Sequence, residues 1–345
     1  MKILIIGPSW IGDMIISHSL YRTIKMNNPT TIIDVIAPNW CKPLILRMPE
    51  VNTALTMPLN HGVLGLNERW LLSKRLRLSH YDQAVILPGS FKSSLIPFLA
   101  CIPKRTGWRG EMRYGLLNDL RILDRTAFPL MVHRYVALGY EKTKIQSIYD
   151  LPNPLYLPKI TVNNKEKIAT INTFKIERQK PIISLCPGSG YGLAKCWPFY
   201  HYAELAKYLI NLGYQILLLG SSNEEHTGTV ILQRIEKKNR KYCRNLIGKT
   251  SLEEAVILIS CSHATISNDS GLMHITAALD QPLVALYGPS SPGFTPPLSK
   301  KARVIHLIDN KYKTRKNDIH AGYHQSLIDI TPKKVMTELK ILNLI

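Results

Sequence analysis

Short, continuous apolar runs rich in β-branched residues recur along the chain, at residues 2–6, 32–37, 83–87, 182–186, 215–219, 264–266 and 282–286. Each is followed by turn residues and then by a stretch with helical spacing of its apolar positions. Runs that lack polar alternation predict strands buried on both faces, and intervening helices predict parallel pairing. The runs form two clusters, so the expected fold is α/β, with two doubly wound parallel sheets in two Rossmann-like domains. Residues 151–180 lie between the clusters. They are polar, carry PNPLYLP near their start and show no clear βα unit, which predicts a linker. The domains are therefore expected at 1–170 and 171–345, with the first part of the linker free to add an edge element to the first domain. Residues 332–344 predict an amphipathic helix, which either completes the second domain or packs back on the first. Ligands of open α/β sheets bind beyond the carboxyl ends of the strands. Two facing domains of this kind would line one cleft with those ends, so the chemistry is sought in the loops that follow the strands.

Composition removes several classes. A chain of 345 residues that is 45% hydrophobic can bury a sizeable core. The opening MKILIIGPSWIGDM has only four apolar residues in a row before Gly7, too few for a signal peptide. No other apolar run approaches the roughly 18 residues of a membrane-spanning helix. Cys41, Cys101, Cys186, Cys196, Cys243 and Cys261 form no CxxC pair. The histidines form no HExxH or HxH motif, although His320 and His324 share helical spacing. Reduced thiols, no structural metal and a cytoplasmic location are expected. With 44 Lys and Arg against 24 Asp and Glu, the formal charge is +20. Such a field attracts phosphate-rich partners such as nucleotides, nucleic acid or anionic lipid. The chain is also rich in Lys, Ile and Asn, as an AT-rich coding sequence would be, so charge alone decides nothing.

Three junctions and one basic segment carry candidate chemistry. The first junction reads Gly7-Pro8-Ser9-Trp10-Ile11-Gly12-Asp13 ahead of the helix-like MIISHSLYRTIK. It has neither the P-loop GK[ST] nor GxGxxG spacing. Asp13 at the helix entrance reads either as an N-cap or as a functional carboxylate. In the second half, Ser267-Asn268-Asp269-Ser270-Gly271-Leu272-Met273-His274 turns from a strand into a helix, whose amino terminus suits a pyrophosphate or is simply capped. Cys186-Pro187-Gly188-Ser189-Gly190-Tyr191-Gly192-Leu193-Ala194-Lys195 is a glycine-rich loop with one charge, Lys195, placed either to reach a phosphate or to sit in solvent. Lys104, Arg105, Arg109, Arg113, Arg121 and Arg125 lie among Trp108 and Tyr114. The glycines of KRTGWRGEMRYG predict a loop whose arginines contact phosphate or carboxylate. Lys300, Lys301, Arg303, Lys311, Lys313, Arg315 and Lys316 form a second cluster that reads as solvated surface.

The segments GPSWIGDM, IPKRTGWRGEMRYGLLND, NDSGLMH, ALYGPSSPGFTPPLS and GYHQSLIDITP sample the chain from residue 1 to about residue 335. Together they resemble the ADP-heptose:lipopolysaccharide heptosyltransferases, most of all the branch whose acceptor is the heptosyl-Kdo-lipid A inner core. A branch with a different acceptor is the nearer alternative. The resemblance implies a GT-B fold, ADP-heptose on the carboxyl-terminal domain, the phosphorylated lipid A-Kdo-heptose acceptor on the amino-terminal domain, and inverting transfer. Asp13 is similar to the family's catalytic base and Lys195 to its donor-phosphate ligand. Gly188, Ser189, Ser222, Asp269, Ser270, Gly271 and His274 fall on the donor side by the same resemblance. Ser9, Trp10, Gly12, Arg105, Arg109 and Arg113 fall on the acceptor side. The Lys195 loop departs from the family pattern, which has an acidic residue at Gly190 and a basic one at Cys196. No cofactor is implied beyond the co-substrate, with stimulation by Mg²⁺ left open, and peripheral contact with the inner-membrane surface is compatible with a lipid-linked acceptor. Two other classes compete. A nucleic-acid-binding protein would explain the charge but lacks a recognised module. A nucleotide-sugar epimerase would share the fold.

Overall fold

Both clusters of apolar runs fold as parallel sheets. The computed structural model describes every residue except Asn60, His61, Tyr191, residues 309–318 and Ala321, and divides into two units, Met1–Ile160 and Thr161–Ile345. The basic residues Lys311, Lys313, Arg315 and Lys316 of the second cluster therefore lie outside the described residues, as does Tyr191.

The first unit runs β1 (Lys2–Ile6), α1 (Ile11–Asn27), β2 (Ile32–Pro38), α2 (Lys42–Ile45), β3 (Thr53–Met57), α3 (Leu66–Arg77), β4 (Gln83–Ile86), α4 (Leu95–Leu99), β5 (Lys104–Trp108), β6 (Asp119–Arg121) and α5 (Met131–Ala137). Its sheet has the order β3-β2-β1-β4-β5-β6, and every neighbouring pair is parallel. The direction in which strands are added reverses between β1 and β4, the switch point of a doubly wound sheet. Leu4, Ile6, Ile36 and Ile86 are essentially buried in one apolar cluster. Each such side chain contributes about 1.5–3 kcal/mol by leaving water.

The second unit runs α6 (Asn164–Thr173), β7 (Ile182–Cys186), α7 (Phe199–Asn211), β8 (Gln215–Leu218), α8 (Glu225–Arg234), β9 (Cys243–Asn245), α9 (Leu252–Ser260), β10 (Ala264–Asn268), α10 (Gly271–Ala278), β11 (Leu283–Tyr287), β12 (Ala302–His306), the short pair β13 (Ile319–His320) and β14 (Tyr323–His324), α11 (Gln325–Ile328) and α12 (Pro332–Ile341). Its main sheet, β12-β11-β10-β7-β8-β9, is again all parallel and has the same winding read from the other edge. Here the switch point lies between β7 and β10.

Two expectations change, the unit boundary and the loop at KRTGWRG, and two features left open take a definite form. The unit boundary falls at 160/161 rather than 170, because α6 packs against α9 of the second unit. The predicted loop KRTGWRG begins as strand β5, paired with β4 from Gln83↔Lys104 to Ile86↔Gly107. The closing helix contributes Val335 and Leu339 to the core of the second unit and packs on α7. His320 and His324 lie in paired antiparallel strands rather than on one helix. Among the described residues no helix is long and apolar enough to cross a membrane, and all six cysteines are free.

Candidate active-site loops at the two switch points

In the first unit, β1 ends at Ile6 and α1 begins at Ile11, so residues 7–10 form the junction. Trp10 is the N-cap residue, with extended backbone (φ −89°, ψ 138°), and Asp13 is the third residue of the helix. The N-cap position is thus not Asp13's, although its carboxylate still lies in the first turn, where the helix dipole favours negative charge. Ser9, Gly12 and Asp13 are half-buried and Trp10 is exposed, so these four are gathered at the carboxyl edge of β1. Asp13 acts on the buried Tyr135 of α5, whose hydroxyl is held well above the usual phenol range, first by burial and then by the nearby carboxylate. Tyr135 was not singled out from sequence.

The neighbouring loop, after β4, is pinned by the segment following β5. Glu111 N donates to the Gly89 carbonyl at 3.0 Å, and Phe91 N donates to Glu111 Oε2 at 2.6 Å. Gly110 must be glycine here, since a Cβ would lie 2.1 Å from the Gly89 oxygen. Arg113, only 1% exposed, donates from one terminal nitrogen to the Pro88 carbonyl at 2.7 Å and from the other to the Trp108 carbonyl. Burial pushes its guanidinium down to about 10. Arg105 donates to the Leu116 and Ile102 carbonyls, both at 2.7 Å. Two of the three arginines expected to meet the acceptor are therefore committed to backbone carbonyls, because a strand-loop-strand segment of this length needs donors for its own turns. Arg109 remains exposed.

In the second unit the two loops of the switch point converge. Lys195 Nζ lies 3.2 Å from Asp269 Oδ2, both groups being largely buried. Behind them Asn268, fully buried at the end of β10, fastens one loop to the other. Its amide donates to the Pro187 and Gly188 carbonyls at 2.7 and 3.3 Å. Its carbonyl accepts from Trp197 N at 2.9 Å and from the Tyr202 hydroxyl at 3.0 Å. The motif NDSGLMH contains this residue, but only the folded chain reveals its bridging role. Ser270 is the N-cap of α10 and shares a 3.2 Å contact with the Ser267 hydroxyl. Gly271 opens the helix, whose first amides have no intrahelical partner. His274, one turn further, is pushed down to about 4, with burial outweighing the opposing charge of Asp269, so at neutral pH it is uncharged. Ser189 is buried beside Gly188, where a Cβ would meet the Glu224 carboxylate at 2.0 Å. Ser222 sits exposed after β8, in the turn that Glu224 caps by accepting from Ser221 N at 2.6 Å. Cys196 is buried and its thiol points to the Gly192 carbonyl at 3.5 Å, so the position that departs from the family pattern serves the loop's packing.

Two parallel sheets of one winding, each with helices between its strands and polar loops at its switch point, have the GT-B architecture. The model of glycosyltransferase family 9 (heptosyltransferase) matches residues 69–324, and the chain belongs to that family. Lipopolysaccharide heptosyltransferase 2 of Salmonella typhimurium is 59% identical over 339 residues, 98% of this chain and 97% of that protein. The Escherichia coli protein of the same name is 58% identical over 342 residues, covering 99% and 98%. A solved structure described as Escherichia coli ADP-heptose lps heptosyltransferase II superposes with a TM-score of 0.92 at 55% identity, over 100% of this chain and 99% of that one. The resemblance read from the sequence, including its heptosyltransferase II branch, holds.

Proposed function

We propose that this chain transfers L-glycero-D-manno-heptose from ADP-heptose to the heptosyl-Kdo-lipid A inner core of lipopolysaccharide, with inversion at the anomeric carbon. The observation that carries the reading is the second unit's switch point. A lysine ammonium is set there against Asp269, one residue before the N-cap of an eight-residue helix that offers free amides. Diphosphates are held by such a combination of cation and helix amino terminus.

In the proposed reaction the acceptor hydroxyl gives its proton to the Asp13 carboxylate as its oxygen attacks the anomeric carbon. The bond from that carbon to the β-phosphate oxygen breaks, and its electron pair leaves with ADP. The charge gained by the diphosphate is met by Lys195 and by the amides of residues 270–272, groups that act more strongly on the transition state than on the ground state. A positioned base typically contributes about 10² to 10⁴ in rate. No resident metal is required by this scheme. The first unit would receive the acceptor through the junction that carries Ser9, Trp10 and Gly12, with Arg109 rather than Arg105 or Arg113 available for its phosphates. The reading places the chain in the cytoplasm, in peripheral contact with the inner-membrane surface. Incubation with ADP-heptose and a defined heptosyl-Kdo-lipid A acceptor tests it: mass analysis should show one added heptose with the anomeric configuration inverted. Transfer only to an acceptor lacking the first heptose would overturn the assignment.

A further inference from the structure

Helix α3 (residues 66–77) exposes large apolar side chains on the face turned away from the sheet. Its inward face is formed by the buried Arg69, Ser73 and Leu76 together with Leu72, which packs against the core of the first unit, and the Arg69 guanidinium is occupied by the Leu64, Lys92 and Val63 carbonyls. Its outward face carries large apolar side chains as well: Leu66 is 58% exposed, Trp70 45%, Leu71 46%, and Leu78, just past the last turn, 80%. Lys74 and Arg75 stand among them, also exposed. The Lys74 ammonium lies 3.7 Å from the centroid of the Trp70 ring. At 100° per residue, positions 66, 70, 74, 78, 71 and 75 fall on one continuous arc of roughly half the helix. A helix whose outer face met water alone would not expose Leu66, Trp70, Leu71 and Leu78 in addition to the inward-facing Leu72 and Leu76.

We propose that this outward face of α3 is a membrane-docking surface, which lies on the headgroup layer of an anionic bilayer. An interfacial helix buries tryptophan and leucine at the headgroup boundary and extends lysine and arginine stems to anionic lipid, the composition found here. The occupant is a lipid surface rather than a protein because cations are interleaved with the apolar groups along the whole arc and the chain carries +20 overall. A bilayer supplies both the apolar depth and the negative charge. The inference deepens the proposed function by naming the surface through which a lipid-linked acceptor is approached, and vesicle binding in the absence of substrates tests it apart from the transfer reaction.

The experiment is sedimentation of the full chain with vesicles of phosphatidylethanolamine and phosphatidylglycerol, compared with vesicles of neutral phosphatidylcholine. Binding should require the anionic lipid and weaken with salt. Trp70→Ser combined with Leu71→Ser, and separately Lys74→Glu combined with Arg75→Glu, should each lower the partition coefficient by about tenfold or more. Both variants alter exposed side chains, so their thermal melting and their transfer to a delipidated, water-soluble acceptor should match the parent. The control is Lys237→Glu with Lys238→Glu, an exposed basic run in the second unit, which should bind as the parent does. Equal loss in the control would show that net charge, not α3, drives binding and would overturn the proposal. So would vesicle binding unaffected by the α3 variants, or no binding to anionic vesicles at all.

Discussion

The first and second units wind their sheets identically and differ at the same place, the pair of loops that flanks the switch point. In the first unit those loops present a carboxylate, Asp13, half-buried in the opening turn of a 17-residue helix. The basic residues around them are largely spent on backbone: Arg113 closes the loop after β4 and Arg105 the turn after β5. In the second unit the loops present a cation held by a carboxylate, and the fastening of one loop to the other is done by a neutral side chain, Asn268, rather than by Lys195. In the proposed function, the first frame supplies the group that takes the proton and the second the groups that hold the anion. The difference follows from which side chains the loops spend on their own hydrogen bonds.

That contrast can be broken at several points. The largest effect is expected for Asp13→Asn, which should lower kcat by about 10² to 10⁴. Its melting temperature should stay near the parent's, because asparagine loses only the charge term of about 0.3–1 kcal/mol at a helix start. Unchanged turnover in a folded variant would leave the first unit without a chemical role. Arg113→Met should act on the fold instead, costing about 2–4 kcal/mol in chemical denaturation, since it removes the guanidinium bonds to the Trp108 and Pro88 carbonyls and leaves Pro88 only the Ser93 hydroxyl at 3.2 Å. An acceptor KM effect without loss of stability would return Arg113 to the binding surface.

A smaller effect concerns His274. Its folded-state value near 4 lies below the 6.5 of an unfolded histidine. The unfolded chain therefore takes up a proton first as pH falls, and stability present above pH 6.5 is lost between about 6.5 and 4. His18 and His133 are shifted the same way by burial and add to the slope. The comparison of interest is thus His274→Gln, whose melting temperature should fall less steeply than the parent's over that window. Parallel curves would show that His274 is not buried neutral. The smallest structural effect belongs to Arg109→Ala. Its exposed side chain should contribute within about 0.5 kcal/mol to stability, while the acceptor KM rises and ADP affinity stays unchanged.

The legible part of the fold was its middle. All seven apolar runs became strands, β1, β2, β4, β7, β8, β10 and β11, and these lie at or beside the switch points, where both faces are covered. The strands of the two main sheets that escaped notice are β3, β5, β6, β9 and β12, which lie toward the outer parts of the sheets. Ala302–His306 reads ARVIH and Lys104–Trp108 reads KRTGW, with exposed and buried positions mixed. A strand with an open face or edge needs no continuous apolar run, so pattern alone does not separate it from a loop. Helix α6 carried a readable signal that was missed: Asn163 caps Glu166 N while the Glu166 carboxylate accepts from Asn163 N, both at 2.9 Å.

At the candidate sites, Asp13, Lys195 and Asp269 stood out because the junctions after buried strands are short and polar, and the fold keeps them at those junctions; their roles come from the resemblance. The roles of Arg105, Arg113 and Asn268 were not legible, since a guanidinium aimed at a phosphate and one aimed at a carbonyl look identical in sequence. Ser222 and Ser270 were placed on the donor side by resemblance, and the fold puts both at the carboxyl edge of the second sheet.

The central claim, that the second unit holds the nucleotide while the first performs the proton transfer, is tested most directly by calorimetric titration of ADP into the parent, Lys195→Ala and Asp13→Asn. Loss of one charge-assisted contact should weaken ADP binding to Lys195→Ala by about 10- to 150-fold, and Asp13→Asn should bind ADP as the parent does. ADP affinity that survives Lys195→Ala, or that collapses in Asp13→Asn, would contradict the account.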